Sequence, residues 1–510
     1  MRFTIIDCYT DEPSGLGVMP YVGTYPRYIA GAILEQKQEL FYLTIDDLRG
    51  TLKPVKNIET EMKTNIKVRN LSKNHANVEK IISTSDIIVV IAGVHTPGKY
   101  LSAYPGTTKE VIKLLTELKS NALKVLTGPA AYSGSGMYGG RKARSVDQDL
   151  EYFDLVVKDF EYKLAELIEN NFTEDPSVDL NYNQLQKKTV LGANLLAQLP
   201  HCPEFLITEI ESMKGCSRKV GCSFCTEPLK CKNVEKRTIK QIVEEVKALN
   251  KQGMNNFRIG KQTCFYSYGN NDDIEKLLKN VRKYSDVLHI DNVNPLFVNE
   301  EKTKSIVKHC TSGNIAAMGV ESFDPEVVKK NKLNTSPELT YKAIKLINKY
   351  GATQGESGLP KLLPGLNLIY GLIGESKKTH QHNMESLQRI IDDNLLLRRI
   401  NIREVVVFPG TQLEKEAGDK FIKKNKKYYW KWRNEIRQKI DFPMLQKVFP
   451  TGTIMKRLRT EIYDGNTTFA RQIGSYPLAV GVKGRLGLDK WINIKVKSHM
   501  LRSIVGEIVE

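Results

Sequence analysis

The chain has 510 residues, of which 41% are hydrophobic and 26% charged, as expected of a soluble protein with more than one domain. It has no run of about 18 apolar residues and no basic flank before an apolar core, which excludes a membrane span and a signal peptide. We therefore expect a cytoplasmic monomer without disulfides or membrane contact. The net charge of +18 favours an anionic partner such as RNA.

Residues 1–175 alternate between apolar strands and amphipathic helices. The run from Ile87 to Ala92 is almost entirely β-branched, which is typical of a strand buried on both faces. This alternation predicts an α/β domain with a doubly wound, Rossmann-like parallel sheet. The predicted strands are 2–7, 41–45, 87–92, 122–126 and 153–157, and the predicted helices are 20–36, 107–120 and 162–170. Residues 176–200 are polar and rich in asparagine, and we predict a linker there.

Four cysteines follow closely on the strand predicted at 204–213, namely Cys216, Cys222, Cys225 and Cys231. Soft thiolates select zinc or iron–sulfur clusters. Structural zinc usually takes four ligands from two CxxC or HxxxH pairs, and no second pair is nearby. The spacing favours an iron–sulfur cluster. It leaves two ligand sets open, because Cys216 and Cys231 each complete a trio with the other two cysteines.

Residues 201–445 repeat a strand–helix pattern. The predicted strands are 204–213, 256–265, 287–292, 315–321, 366–372 and 402–408. The predicted helices between them are 239–252, 274–284, 300–309, 337–350 and 379–394. Six consecutive βα units predict a partial (β/α)6 barrel, two units short of a closed eightfold barrel.

The motifs along this barrel resemble those of radical S-adenosylmethionine (SAM) enzymes, especially the methylthiotransferases and the elongator catalytic subunit. The resemblance rests on Cys216-x5-Cys222-x2-Cys225 and on residues 319–324 (GVESFD), 367–376 (NLIYGLIGES) and 407–411 (VFPGT). Asn367 stands where that group has Asp, so no role of a carboxylate carries over to it. The whole layout also resembles an archaeal radical SAM family with a cobalamin-type domain in front.

This resemblance implies that Cys216, Cys222 and Cys225 bind a [4Fe-4S] cluster whose fourth iron binds SAM. Cys231 lies beyond Pro228, outside that set. The residues implied to contact SAM are Phe224, Gly260, Lys261, Gln262, Glu321, Ser322, Gly371 and Phe408. A core position for Phe224 and a salt-bridged barrel carboxylate for Glu321 are the alternatives, and no further catalytic residue is assigned.

Residues 87–93, 124–131 and 152–168 resemble the cobalamin-binding domain that precedes many radical SAM barrels. The usual Asp-x-His-x-x-Gly motif is absent, and the nearby histidine is His95. The resemblance implies cobalamin as a further cofactor, with the glycine-rich residues 133–140 beside its nucleotide tail. A scaffold without ligand is the alternative. Cys8 is the one cysteine in this domain, so the second cluster of methylthiotransferases is not expected.

Two further segments are basic or rich in short strands. Residues 420–433 (KFIKKNKKYYWKWR) interleave lysines with aromatics, which suits single-stranded nucleic acid or, alternatively, a helix with an aromatic core face. Residues 446–510 alternate short strands with glycine turns and predict a small β-barrel. That barrel resembles the RNA-binding TRAM domain of methylthiotransferases.

We therefore expect a radical SAM enzyme that methylates or otherwise modifies an unactivated carbon of RNA, with tRNA favoured. A ferredoxin- or flavodoxin-type protein would donate its electrons. The alternative enzymes are a methylthiotransferase and a peptide- or protein-modifying enzyme. An RNA-binding protein with a structural cluster is the alternative from another class.

Overall fold

A computed structural model describes residues 1–12, 15–52, 68–93, 101–135, 139–143, 150–218, 220–231 and 233–510. The chain forms two compact units. The first comprises Met1–Tyr138, Ala143–Ile210 and Lys240–Asn255, and the second comprises Gly139–Lys142, Glu211–Ile239 and Asn256–Glu510. Among the described residues, no helix is both long enough and apolar enough to cross a membrane.

The first unit contains a five-stranded parallel sheet, which confirms the predicted doubly wound fold. Within this sheet, the second strand in chain order, Glu39–Thr44, lies at the edge beside the first, Arg2–Asp7. The strand order therefore reverses between the first strand and the third, Ile87–Ile91. In such sheets this reversal marks the crevice where ligands usually bind. In spatial order the strands are Glu39–Thr44, Arg2–Asp7, Ile87–Ile91, Leu123–Thr127 and Leu155–Val156.

The helices of the first unit include two that differ from the prediction. The first helix begins at Thr24, because Tyr21–Val22 forms a short strand beside Ile207 and Thr208. The helix that begins at Ile239 belongs mainly to this unit, because its Glu245 is ion-paired with the fully buried Arg27. The main helices are Thr24–Glu35, Ile45–Thr51, Val78–Thr84, Thr108–Glu117, Phe160–Glu169, Tyr182–Leu191 and Ile239–Lys251.

The segment predicted as a linker, 176–200, contains a helix and a 3₁₀ helix, Tyr182–Leu191 and Gly192–Gln198. It packs directly on the first helix. A Cβ atom on Gly31 would lie 1.8 Å from the carbonyl oxygen of Lys188, and one on Gly192 would lie 2.1 Å from that of Arg27. Two glycines therefore let the backbones touch, an approach that no other residue permits.

The second unit carries the second to sixth predicted barrel strands in chain order, whereas the first lies almost wholly in the first unit. Neighbouring strands pair in parallel on either side of a break in the third strand, which divides them between two sheets. The third strand is split at Asp291. The strands are Asn256–Gly260, Val287–Ile290, Asn292–Val293, Asn314–Glu321, Leu362–Tyr370 and Arg399–Glu404. The first predicted strand is Ile207–Glu211. The main helices are Asn271–Arg282, Glu300–His309, Pro325–Lys330, Pro337–Gly351, Lys377–Asp392 and Lys420–Ile436.

One face of these strands is accessible near their carboxyl ends. Gly319, Glu321, Asn367, Ile369 and Arg403 are partly exposed, whereas the positions that alternate with them are mostly buried. Alternate residues of a strand point to opposite faces of the sheet. The accessible residues therefore share the face opposite the helices, which leaves room for ligands inside the barrel.

The C-terminal segment forms the predicted small barrel, a closed barrel of five strands. It belongs to the second unit rather than standing apart. Tyr476 donates its hydroxyl to Asp291 Oδ1 at 2.8 Å, and the backbone nitrogen of Ser475 donates to His289 Nδ1 at 2.9 Å. The strands of this terminal barrel are Ile454–Asp464, Thr467–Gln472, Val480–Lys483, Trp491–His499 and Ile504–Val509.

Candidate metal and cofactor site

The four clustered cysteines lie on a loop, residues 215–234, that we call the cysteine loop. Its base is a two-stranded antiparallel ladder, Met213–Lys214 with Glu235–Lys236. Gly215 opens the loop with a φ of 79°, and a Cβ atom there would lie 2.6 Å from the carbonyl oxygen of Asn233. The two ends of the loop are thus held closely together.

Cys216 lies close enough to Cys222 and Cys225 to influence the ionisation of those two thiols. Burial, chiefly, raises the pKa of Cys222 to about 11, with Glu321 and Cys216 adding to the rise and Arg218 opposing it. Burial likewise raises the pKa of Cys225 to about 12, with Cys222 and Cys216 contributing. Thiols of this kind ionise when a metal binds, because the cation supplies the missing positive charge.

Cys231 lies apart from this trio. Its thiol donates to the carbonyl oxygen of Asn233 at 2.9 Å. Burial raises its pKa, and the charged groups that act on it are Glu227, Lys214 and Glu235 rather than the other three thiols. This arrangement favours the ligand set that contains Cys216.

Within the described parts of the chain, no group of three or more His, Cys, Asp or Glu side chains converges on a position for a single metal ion. A structural zinc ion takes its four ligands around one point. Three thiolates on a [4Fe-4S] cluster each bind a different iron atom, so their sulfur atoms need not converge. The donor set of the loop fits such a cluster.

The middle of the cysteine loop is fixed by contacts that the sequence did not reveal. The hydroxyl of Ser223 donates to Asn331 Oδ1 at 2.6 Å, and its backbone nitrogen donates to the carbonyl oxygen of Asn331 at 2.9 Å. The backbone nitrogen of Leu413 donates to the carbonyl oxygen of Ser223 at 2.7 Å. Asn331 also bonds the backbone of Ile373, so one side chain connects the loop with the turn after the fifth strand.

Phe224 packs with Cys222 against an apolar cluster beneath the loop. This packing agrees with the alternative of a core position for Phe224. The buried members of the cluster are Val327, Leu333, Leu372, Val405, Val407, Leu413 and Ile422. Phe408, another predicted SAM contact, is partly buried at a turn in which its carbonyl oxygen accepts the hydroxyl of Thr411 at 2.7 Å.

The second strand ends with the predicted Gly260-Lys261-Gln262. Lys261 forms an ion pair of 3.2 Å with the buried Glu211. Gln262 is buried, and its Oε1 accepts from the hydroxyl of Ser212 at 3.2 Å. Lys261 has a φ of 48°, which ends the strand five residues earlier than the prediction.

Glu321 lies at the end of the fourth strand, where the register with the fifth strand shifts. Its φ of 64° places it in the left-handed region. Its Oε2 is buried and has no hydrogen-bond partner among the described residues. Burial raises its pKa to about 8, against an opposing effect of Arg403. A buried carboxyl oxygen without a hydrogen-bond partner can accept from the amino or hydroxyl groups of SAM, so Glu321 fits this cofactor.

Two other predicted SAM contacts have structural partners. Ser322 is buried, and its hydroxyl accepts from the backbone nitrogen of Asp324 at 3.1 Å. Gly371 has a φ of 94° and donates its backbone N–H to Glu375 at 2.6 Å. A Cβ atom on Gly371 would lie 2.6 Å from Ile422, so packing alone explains this glycine.

The switch point of the first unit is closely packed where it is described. A Cβ atom on Gly93 would lie 3.1 Å from Thr10 and from Pro129, so even a methyl group is tight at this point. Gly139 and Gly140, expected beside a nucleotide tail, pack instead against Glu404. His95 and residues 136–138 lie outside the described residues. At Gly93, the described part of the crevice is therefore already filled by protein atoms.

Comparisons with known proteins agree with the barrel and the loop. The family model of the radical SAM superfamily matches residues 210–387. An uncharacterised protein of Methanocaldococcus jannaschii is 40% identical, across 100% of this chain and 93% of its own length.

Two solved structures share the fold. TsrM from Kitasatospora setae, a radical SAM methyltransferase with tryptophan and a SAM analogue bound, has a TM-score of 0.54 at 14% identity, covering 91% of this chain and 79% of TsrM. OxsB, a cobalamin-dependent SAM radical enzyme with aqua-cobalamin and SAM bound, has a TM-score of 0.51 at 13% identity, covering 83% of this chain and 56% of OxsB. With its barrel, its cysteine loop and these relatives, the chain belongs to the radical SAM superfamily and is an enzyme whose cofactors are SAM and a [4Fe-4S] cluster.

Proposed function

We propose that the chain cleaves SAM reductively at a cluster held by Cys216, Cys222 and Cys225, and that it methylates or otherwise modifies an unactivated carbon. The observation that carries this proposal is the unpartnered Oε2 of Glu321, which lies close enough to Cys222 to raise the pKa of that thiol. A buried carboxyl oxygen that lacks a hydrogen-bond donor, close to one of the ligand thiols, suits a site for SAM on an iron–sulfur cluster. When bound, the two cofactors supply a carbon-centred radical that removes a hydrogen atom.

The protein's part in this reaction is to bind and orient. Glu321 would accept hydrogen bonds from the amino or ribose groups of SAM. Gln262 lies at the adjacent strand end, where its amide oxygen already accepts from Ser212. Asn367 and Arg403 line the same accessible face and would contact the substrate. The barrel wall then keeps water from the reacting groups.

Methyl transfer is supported by the shared fold with TsrM. The fold shared with OxsB supports cobalamin as a ligand of the first unit, whereas the packing at Gly93 opposes insertion of its nucleotide tail. We therefore assign no step to cobalamin. Residues 1–175 contain one cysteine, Cys8, and this still argues against a methylthiotransferase.

The direct test is anaerobic reconstitution with iron and sulfide, followed by dithionite and SAM. We expect about four iron atoms per chain and formation of 5′-deoxyadenosine and methionine. Cys222→Ala should lose both, and Cys231→Ala, the matched control, should keep both. A reconstituted wild-type protein that binds the cluster but never cleaves SAM would support the RNA-binding alternative with a structural cluster.

RNA is the substrate that the surface charge supports. Lys456, Arg457, Lys495 and Lys497 are exposed on two paired strands of the terminal barrel, and the guanidinium of Arg457 lies 5.1 Å from the ring of Trp491. Cations that hold phosphates beside an aromatic ring suit single-stranded RNA. A protein or peptide substrate is the alternative.

The helix Lys420–Ile436 supports RNA less well. Its Tyr429 and Trp432 are buried, as in a helix with an aromatic core face, and Trp430 is 61% exposed.

Binding of unmodified tRNA at several salt concentrations would separate the two basic surfaces. Replacing the four basic residues of the terminal barrel with Gln should weaken binding. It should also flatten the slope of log affinity against log salt, by about 0.7 for each phosphate of a single strand that is no longer neutralised. Replacing Lys423, Lys424, Lys427 and Lys431 with Gln should change binding less, and equal effects of the two sets would count against the barrel surface.

An electron donor of the ferredoxin or flavodoxin type is also part of the proposal. Two large apolar side chains of the cysteine loop, Val220 and Leu229, are 51% and 56% exposed. Exposed apolar groups beside the thiols suit a docking protein. Val220→Glu should slow reduction by flavodoxin and leave reduction by dithionite unchanged.

A further inference from the structure

Arg218 connects one thiol of the cysteine loop to a neighbouring turn. Its Nη1 donates to Cys222 Sγ at 3.0 Å, and its Nη2 donates to the carbonyl oxygen of Lys332 at 2.7 Å. Arg218 is partly buried and lies between the first two cysteines of the ligand trio. Both ends of its guanidinium are therefore held, so the cation has a defined position beside the sulfur.

We propose that Arg218 is a positioning residue that raises the reduction potential of the cluster through its hydrogen bond to Cys222. The inference rests on the proposed function, because it assumes that Cys222 binds an iron atom. Reduction adds one electron, and hence one negative charge, to the cluster and its sulfur ligands. A fixed N–H donor and a cation at a ligand sulfur stabilise this charge, and hydrogen bonds to the sulfurs are among the factors that set the potentials of such clusters.

The contact with Cys222 is charge-assisted, because the donor is a guanidinium group rather than a neutral amide. Such a hydrogen bond is shorter and stronger than one between neutral groups. The second nitrogen of the same guanidinium is held by the carbonyl oxygen of Lys332, so the positive charge stays beside the sulfur atom.

The competing explanation is that Arg218 merely holds the loop against Lys332. Three variants separate the two roles. Arg218→Gln removes both the charge and the forked pair of N–H donors. Arg218→Lys keeps the charge but not the forked pair. Lys329→Gln removes an exposed charge three residues before Lys332 and does not contact a sulfur atom. Each reconstituted protein is assayed for iron and sulfide and then titrated anaerobically, with the electron paramagnetic resonance signal of the reduced cluster as the readout.

We expect the midpoint potential of Arg218→Gln to fall by an amount equivalent to about tenfold in the one-electron equilibrium constant, or about 59 mV. The midpoint potential of Arg218→Lys should fall less, and that of Lys329→Gln should match that of the wild type. If Arg218→Gln binds no cluster, the midpoint potential of Arg218→Lys is compared with that of the wild type instead. Equal potentials in the wild type and the Arg218 variants would overturn the inference. A wild-type protein without a cluster signal would instead overturn the proposed function.

Discussion

The hydroxyl of Ser223, between two of the ligand cysteines, donates to Asn331 Oδ1 at 2.6 Å across 108 residues of chain. Asn331 also donates to the carbonyl oxygen of Ile373 at 2.9 Å and accepts from its backbone nitrogen at 3.1 Å. A buried amide that bonds two separate loops fixes their spacing. The geometry of the thiols therefore depends on a residue outside every motif of the chain.

Replacing Asn331 with Ala should loosen the cysteine loop. The change removes the partner of the buried Ser223 hydroxyl, at a cost of about 1–3 kcal/mol in the free energy of unfolding, and it also removes two hydrogen bonds to the partly buried backbone of Ile373. We expect a lower denaturation midpoint and less iron per chain after reconstitution. Asn466→Ala, in an exposed turn of the terminal barrel, is the control and should change neither quantity. Full iron content in Asn331→Ala would show that the loop does not need this anchor.

Binding of SAM at pH 7 should release a proton from Glu321. The pKa of Glu321 is raised to about 8 by burial, so the carboxyl is mostly protonated at pH 7 before SAM arrives. The α-amino group of SAM is mostly charged at that pH, and a cation beside the carboxyl lowers its pKa. Calorimetric titrations in phosphate and in Tris should then give different apparent enthalpies. Glu321→Gln should remove the difference, and a wild-type enthalpy that is the same in both buffers would contradict this role.

The same residue makes stability depend on pH. The folded pKa of about 8 exceeds the ordinary value of 4.5, so the folded chain keeps a proton that the unfolded chain loses. The contribution is fully present below pH 4.5 and is lost as the pH rises towards 8. Denaturant titrations at pH 5.5 and 8.5 should show a smaller difference for Glu321→Gln than for the wild type.

Tyr476 should stabilise the whole second unit rather than the terminal barrel alone. Its hydroxyl donates to Asp291, which is also ion-paired with Arg258. Because Asp291 keeps that partner, we expect Tyr476→Phe to cost about 1 kcal/mol, near the lower end for a buried hydrogen bond. Deleting residues 451–510 should unfold the radical SAM barrel, since it exposes His289 and Asp291 together. Tyr152→Phe, at a half-exposed tyrosine of the first unit, is the control.

Cobalamin should gain little from its nucleotide tail in this chain. The contacts at Gly93 leave no described slot for the tail between the first and third strands. Equilibrium dialysis should therefore give similar affinities for hydroxocobalamin and for cobinamide, which lacks the tail. A clear preference for hydroxocobalamin that disappears in Gly93→Val would mean that the crevice opens to admit it.

The sequence predicted the elements that local patterns specify. The helix Glu300–His309 has the predicted bounds, because Asn299 caps it and its apolar spacing is helical. The parallel strand order and the terminal barrel follow in the same way from alternation and turns. The cysteine loop was recognisable because its four cysteines lie in one short stretch of sequence.

What the sequence could not predict depends on contacts between distant residues. Nothing around Asn331 distinguishes it from any other polar residue after a helix, and its partners are Ser223 and Ile373. The sequence predicts a linker over the helix Tyr182–Leu191 because the composition there is polar. Its close glycine contact with the first helix is visible only in the fold. The unpartnered oxygen of Glu321 likewise appears only when the surrounding strands are in place.

Two guanidinium groups lie over the ring of Tyr476, that of Arg258 at 5.2 Å and that of Arg399 at 4.1 Å from its centre. Arg258 is two residues before Gly260, on the strand that leads to Lys261 and Gln262. If the terminal barrel binds a large substrate, as proposed, that substrate would act through Tyr476 on the strand that ends at Lys261 and Gln262. Substrate binding and the position of these two residues would then be coupled through Arg258.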